Sequence, residues 1–265
     1  MSKLRYVKSL EQVRAARATD PEFLKSTVRS IRCVYETDPK IARALVPQPL
    51  VASARPEICV TFSQVTIHLA PGQTMEIGSA VLGVRCTHEK AEGIYLVTMP
   101  MTTEQAVIGG RETYGEPKKI AQIDFRVDGD ALSARVSRMG FAYLAASGRR
   151  GRPLGPRRFV EHAYCFKALP SCDAHRFLDT DPLLVRLEWQ HEQENAWTVE
   201  DGKIVLGESP LDPVADVPVR RLVTMEYEEG TSRSNGTVLR SVPVDWLLPF
   251  LHQRYDDVSG VGIDV

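Results

Sequence analysis

Apolar and polar positions alternate along most of this chain beyond residue 26. TVRSIRCVYET, which stops at Asp38-Pro39, has the period of two expected of a half-buried strand. ICVTFSQVTIHL and AVLGVRCT also predict strands, and the apolar run GIYLVTMPM predicts a buried one. AQIDFRV, ALSARVSRM, VEHAYCFKAL, LVRLEWQ and LVTMEYEE predict more. Helical spacing is confined to three places. Leu4, Val7, Leu10 and Val13 recur every three positions and predict an N-terminal helix. PKIARALV, with Pro39 suited to a first helical turn, predicts one or two turns ending before Pro47 and Pro49. VDWLLPFLHQRY predicts an amphipathic helix near the C-terminus. Asn235-Gly236, between SRS and TVLRSV, predicts a hairpin because both residues tolerate positive φ.

Many short strands without regular βαβ alternation exclude a doubly wound parallel sheet. The expected fold is α+β: a mostly antiparallel β-sheet or barrel with a few helices. No repeat, heptad run or Ser/Gly-rich linker divides the chain. Residues 27–265 therefore read as one domain behind an N-terminal helical extension, 1–26. At 265 residues the chain can bury a sizeable core.

With 33 basic and 34 acidic residues the net charge is −1, which argues against a surface built for nucleic acid or anionic membrane. Charges interrupt every apolar stretch before the ~18 residues of a membrane span. The N-terminus lacks the apolar region of a secretory signal. Five scattered cysteines with no CxxC pair form neither a disulfide framework nor a zinc site, and the six histidines include no pair at ligand spacing. These features predict a cytoplasmic protein without a metal.

The segment that carries chemistry is Gly109-Gly110-Arg111-Glu112-Thr113-Tyr114-Gly115-Glu116-Pro117-Lys118-Lys119. Taken alone, two lysines after a proline describe a solvated turn. The alternative rests on how amines become nucleophiles. A free lysine has a pKa near ~10.4, and burial or a neighbouring cation disfavours its ammonium form. A neutral amine can then attack a ketone and form a Schiff base.

GGRETYGEPKKIA resembles the lysine motif of the acetoacetate decarboxylase family, a GRE triplet followed by a short spacer and PKK. Val34-Tyr35-Glu36-Thr37-Asp38 with ARALVPQPL, QTMEIGSA, SRMGFAY and SPLDPVADVPV are similar to further family segments, in order, across roughly residues 27–225. The resemblance implies a cone-like barrel and a homo-oligomer. It makes Lys118 the Schiff-base nucleophile, Lys119 the second lysine of the pair, and Glu76 an active-site glutamate for proton transfer or substrate orientation. Tyr114 becomes a candidate hydrogen-bond donor, and Arg111 with Glu112 a brace for the lysine loop. The implied substrate is a small oxo acid and no cofactor is needed. In a 3-oxo acid, loss of CO2 leaves an enamine that is protonated and hydrolysed. In a 2-oxo acid such as pyruvate, the same enamine serves an aldolase-dehydratase or hydratase. A non-catalytic ligand-binding protein is a third reading.

Three positions depart from the family pattern. The family's early-strand arginine matches Val28, so that Arg29 or Arg32 must take its place or leave it vacant. A second family acid matches Thr61. Glu116 replaces an aromatic before the Pro-Lys-Lys, where it could shuttle a proton or hold the lysine's charge. Separately, Ser147–Arg158 holds five arginines in ten residues around an Arg-Gly-Arg-Pro core. That core resembles an AT-hook, but as a single copy in a chain of net charge −1 it reads instead as an exposed loop drawing anions to a site mouth.

Overall fold

The computed structural model describes residues 6–18, 26–70, 72–173 and 175–256. Helix α1 (Leu10–Ala18) precedes β1 (Ser26–Glu36), α2 (Pro39–Ala44), β2 (Val51–Ala52), β3 (Glu57–Ala70), β4 (Gln73–His88) and β5 (Ala91–Met101). There follow α3 (Glu104–Tyr114), β6 (Lys118–Ile120), β7 (Gln122–Asp128), β8 (Ala131–Arg138), β9 (Phe141–Pro153), β10 (Arg157–Lys167), β11 (Leu183–Leu206), β12 (Arg221–Ser241) and α4 (Leu251–Arg254).

The strands lie in the order β10-β5-β4-β3-β1-β12-β11, and β10 also pairs with β11, so these seven close into a barrel. Neighbours are antiparallel except where β5 meets β10 and β6. The second half of β11 leaves the ring to pair with β9, and β9-β8-β7 continue as an outer layer. Closure removes the free edges of the ring, and alternation then gives each strand one inner and one outer row. The outer row of Ile31, Tyr35, Phe62 and Leu82 packs against Leu132, Val136 and Leu144 of that layer. The inner row includes Cys59, Val81, Leu96, Met99, Cys165 and Leu187. This is the α+β, mostly antiparallel fold that the alternation predicts.

Several local expectations are corrected. Asn235-Gly236 is not a turn: β12 runs straight through it, pairing Asn235 with Glu188 and Gly236 with Leu187. The glycine serves packing, since a Cβ there would lie 2.4 Å from the ring of Tyr114. The C-terminal helix is broken by Pro249 into two 3-10 turns, Val244–Trp246 and Leu248–Phe250, followed by the single turn of α4. The arginine-rich segment is no loop but the end of β9 and the start of β10. Arg150 lies over the rings of Trp197 and Tyr227, and Arg157 pairs with Glu226 and Glu228. The N-terminal helix forms over Leu10–Ala18 with Leu10 and Val13 exposed, and Val7, also exposed, precedes it. Leu4 and residues 19–25, where the extension would meet the domain, lie outside the described residues. Among the described residues no helix is long and apolar enough to cross a membrane.

Candidate active site in the barrel

The lysine segment is built by the end of a helix that the Gly109-Gly110 pair hides in the sequence. Thr103 caps α3, its side chain accepting a hydrogen bond from the Ala106 amide. Gly115 ends the helix in the left-handed region at φ 81°, where a Cβ would also lie 2.5 Å or less from the backbone of Phe166 and Lys167. Two buried or half-buried arginines then fasten the turn. Arg111 donates to the Lys118 carbonyl at 2.9 Å, as a brace for the lysine segment should. Arg254 donates to the carbonyls of Gly115 (2.5 Å) and Phe166 (3.1 Å).

β6 lies parallel to β5, with Lys118 beside Met99 and Lys119 beside Pro100. Met99 belongs to the inner row, so Lys118 faces into the barrel and Lys119 faces out. The Lys118 Nζ lies 2.8 Å from Oε2 of Glu116, and both side chains are almost buried. A Cβ on Gly110 would stand 2.2 Å from that oxygen and 2.6 Å from the Nζ, so a side chain there would displace the pair as it now lies. The Cys165 thiol lies close to both groups. Burial raises its pKa, Glu116 adds to the rise, and its Sγ donates to the Tyr114 carbonyl at 3.2 Å. The Tyr114 ring itself packs on Gly236 and Leu187, which makes it a plug on the inner row.

The inner wall also carries polar groups. Ser30, Ser63 and Ser79 stand in one row on β1, β3 and β4, with the Ser30 and Ser63 hydroxyls 2.8 Å apart. Arg32 donates to Glu161 at 2.9 Å and lies 3.8 Å from Glu228. Arg157 reaches Glu226 and Glu228, and Gln193 also donates to Glu228. Burial raises the pKa of Glu228 although Arg32 and Arg157 oppose it. His191 stacks on Phe159 and lies 3.9 Å from Glu161; burial, reinforced by Arg32, pushes its pKa down to about 4. Glu161, Glu228 and His191 were not anticipated from sequence. Their sequence signal is position: Glu161 and Glu228 fall in predicted strands, and His191 directly follows one.

Of the expected site residues, the barrel gathers Lys118, Glu116, Tyr114 and Arg32 on its inner side. It does not bring Arg29, Glu76 or Lys119 to them, and each is a correction with the same cause. Arg29 lies three residues before Arg32 and thus in the opposite row, where it donates to Gln64. Gln64 in turn donates to Glu76 at 3.1 Å, so Arg29, Gln64 and Glu76 form an exposed chain on the outer row. Ser79, three residues beyond Glu76, lies on the inner row of β4. Lys119 is held on the outer side, its Nζ 3.0 Å from both Asp212 and Asp256 and 3.2 Å from the Leu211 carbonyl. Arg138 pairs with the same two aspartates. Among the described residues no three His, Cys, Asp or Glu side chains group as a metal site would need.

The model of the acetoacetate decarboxylase family matches residues 12–242. The chain belongs to that family. It is 30% identical over 201 residues to acetoacetate decarboxylase 1 of Bradyrhizobium diazoefficiens, covering 72% of this chain and 75% of that protein. It is 27% identical over 221 residues to the acetoacetate decarboxylase of Bordetella avium, covering 77% and 85%. The solved structure of the acetoacetate decarboxylase of Legionella pneumophila superposes with a TM-score of 0.67 at 18% identity, over 81% of this chain and 86% of the other. The enduracididine biosynthesis enzyme MppR, solved with the condensation product of pyruvate and imidazole 4-carboxaldehyde, gives 0.67 at 16%, over 81% and 88%. The protein is thus a decarboxylase-like enzyme of the lyase class with the family fold. Of the positions that depart from the family pattern, Val28 and Thr61 share the inner row with Arg32.

Proposed function

We propose that this enzyme forms a Schiff base between Lys118 and the ketone of a 3-oxo acid and releases CO2 from it. The observation that carries the reading is the buried Lys118–Glu116 pair at 2.8 Å, facing into the barrel. Transfer of the ammonium proton to Glu116 leaves a neutral amine and a neutral acid, an arrangement that a poorly solvated site tolerates better than unpaired charge. The amine adds to the carbonyl carbon, and loss of water gives the protonated imine. The electron pair of the C–CO2 bond then flows into the C=N bond, leaving CO2 and an enamine. A proton delivered to the enamine carbon, and addition of water to the imine, return the ketone and Lys118. Glu116 can carry protons in both directions.

A second reading is favoured by Arg32. In aldol chemistry on a 2-oxo acid the carboxylate survives and needs a partner, and Arg32 is a cation on the inner wall. MppR, of the same fold, is solved with pyruvate. Against this, Arg32 is already engaged by Glu161 and Glu228, and Arg157 by Glu226 and Glu228, so a substrate carboxylate would have to displace a glutamate.

Borohydride trapping separates the readings. With acetoacetate or a longer 3-oxo acid, the expected adduct maps to Lys118 and has lost the mass of CO2. An adduct with pyruvate only, its carboxyl intact, supports the second reading. An adduct on Lys119, or none with either class, overturns the assignment of Lys118.

A further inference from the structure

Back to back with the lysine site, the outer wall of the barrel holds a cavity of about 320 Å³. Its walls are Ile41, Leu45, Leu82, Val97, Val217 and neighbouring apolar side chains, and Thr98 and Lys119 also line it. Thr98 is the informative residue. Its side chain is buried, and its Oγ1 has no hydrogen-bond partner among the described residues. A hydroxyl left unpaired in an apolar wall is costly, so it marks a place where a partner atom is missing. Lys119 does not supply it, because its three acceptors are Leu211, Asp212 and Asp256.

We propose that this cavity is a second binding site, separate from Lys118, for a neutral and mainly apolar molecule carrying one hydroxyl or carbonyl oxygen that bonds to Thr98. The volume lies at the lower end of small-molecule sites, about 300–1,000 Å³. The charges select against ions. A carboxylate would meet Asp212 and the exposed Asp216 in the lining, with the lysine ammonium already committed. An ammonium would find mostly apolar walls, with Asp212 already paired with Lys119 and Arg138 and Asp216 exposed and solvated. A neutral chain with one polar oxygen satisfies both the walls and the threonine.

The probe is 1-heptanol, which cannot form an imine and so does not report on Lys118. Titration of the full chain by calorimetry is expected to show saturable binding at one site. Thr98→Val keeps the shape and removes the hydroxyl; it should weaken binding about 3- to 10-fold while leaving thermal stability equal or higher. Leu45→Trp should abolish binding by filling the space, with Val217→Phe as a second filling variant should the first fail to fold. Lys118→Ala should leave heptanol affinity unchanged. Absence of saturable binding would overturn the proposal. So would binding indifferent to Thr98→Val and to both filling variants, or binding lost in Lys118→Ala, which would place the alcohol in the barrel.

Discussion

Lys118 and Lys119 are consecutive and similarly buried, with side chains 11% and 6% exposed, yet they live in opposite electrostatic worlds. The inner lysine faces one carboxylate, Glu116, and beyond it the hydroxyls and ion pairs of the barrel wall. The outer lysine is gripped by two aspartates and a carbonyl, with Arg138 sharing both aspartates. A strand sends successive side chains to opposite faces, so one peptide step separates the proposed chemical role from a structural one. The inner amine has a single partner to which it can pass a proton. The outer ammonium neutralises buried carboxylate charge, and giving up its proton would leave Arg138 alone to balance two aspartates.

The largest effects should come from erasing this difference at its centre. Lys118→Ala is expected to reduce turnover by roughly 10⁴- to 10⁶-fold, as loss of a covalent nucleophile does, and to abolish borohydride trapping. The melting temperature should change little by comparison. Equal loss of trapping in Lys119→Met, with the fold intact, would break the assignment of the two roles.

Glu116→Gln tests whether a single acceptor is what frees the inner lysine. The amide keeps the size of the side chain but cannot take the proton. Turnover should fall by about 10²- to 10⁴-fold, in the range of lost general acid–base catalysis, while trapped adduct still forms on Lys118, slowly and with the same mass. Unchanged turnover would assign the proton transfer to another group on the inner wall.

Lys119→Met acts on the other side of the comparison. It leaves Asp212, whose side chain is 1% exposed, with only Arg138 as counter-charge. Chemical denaturation should show a loss of about 4 kcal/mol, typical of breaking a buried pair, with turnover per folded molecule within a few-fold of the parent. Asp212→Asn together with Lys119→Met should recover part of that loss, because the uncompensated charge is gone.

How much of this arrangement is legible in sequence follows from the range of each interaction. Strands β1, β3 and β5 and the second half of β4 are read correctly because alternation and apolar runs are local, whereas the first half of β4, which holds Glu76, is not read as strand. Lys118 and Glu116, two residues apart in sequence, are likewise found side by side. The faces are harder. Glu76 and Ser79 are both polar residues of one strand, and only their separation of three puts them on opposite sides. Arg29 and Arg32 differ in the same way, and the row facing the lysine becomes known only once the partners of β1 are known. Glu161 joins Arg32 across 129 residues, through a closure of the ring that no local pattern announces. Gly110 and Gly236 mislead for one reason: each is glycine because another side chain needs its space, the Glu116–Lys118 pair in one case and Tyr114 in the other.

Acid should distinguish the two faces by where each gives way. On the inner wall His191 has its pKa lowered from 6.5 to about 4 by burial first and Arg32 second. In the unfolded chain it takes up a proton near pH 6.5, whereas in the fold it stays neutral until about pH 4. Between those values the unfolded state binds more protons, so stability falls as the pH is lowered through that window, and below it the contribution is gone. At 1.36 kcal/mol per unit the loss is on the order of 3 kcal/mol. On the outer wall Asp256 behaves differently. Burial opposes its ionisation, but hydrogen bonds from Arg138 and Lys119 prevail and hold its pKa below the ordinary 3.8. Its stabilisation is intact above pH 4 and is lost only as the pH drops through that lowered value. Denaturation measured from pH 7 to pH 3 should therefore show an early slope from the inner wall and a later one from the outer. His191→Gln should flatten the first and spare the second. A first slope that survives His191→Gln would mean that another group, kept from taking up its proton by the fold, sets it.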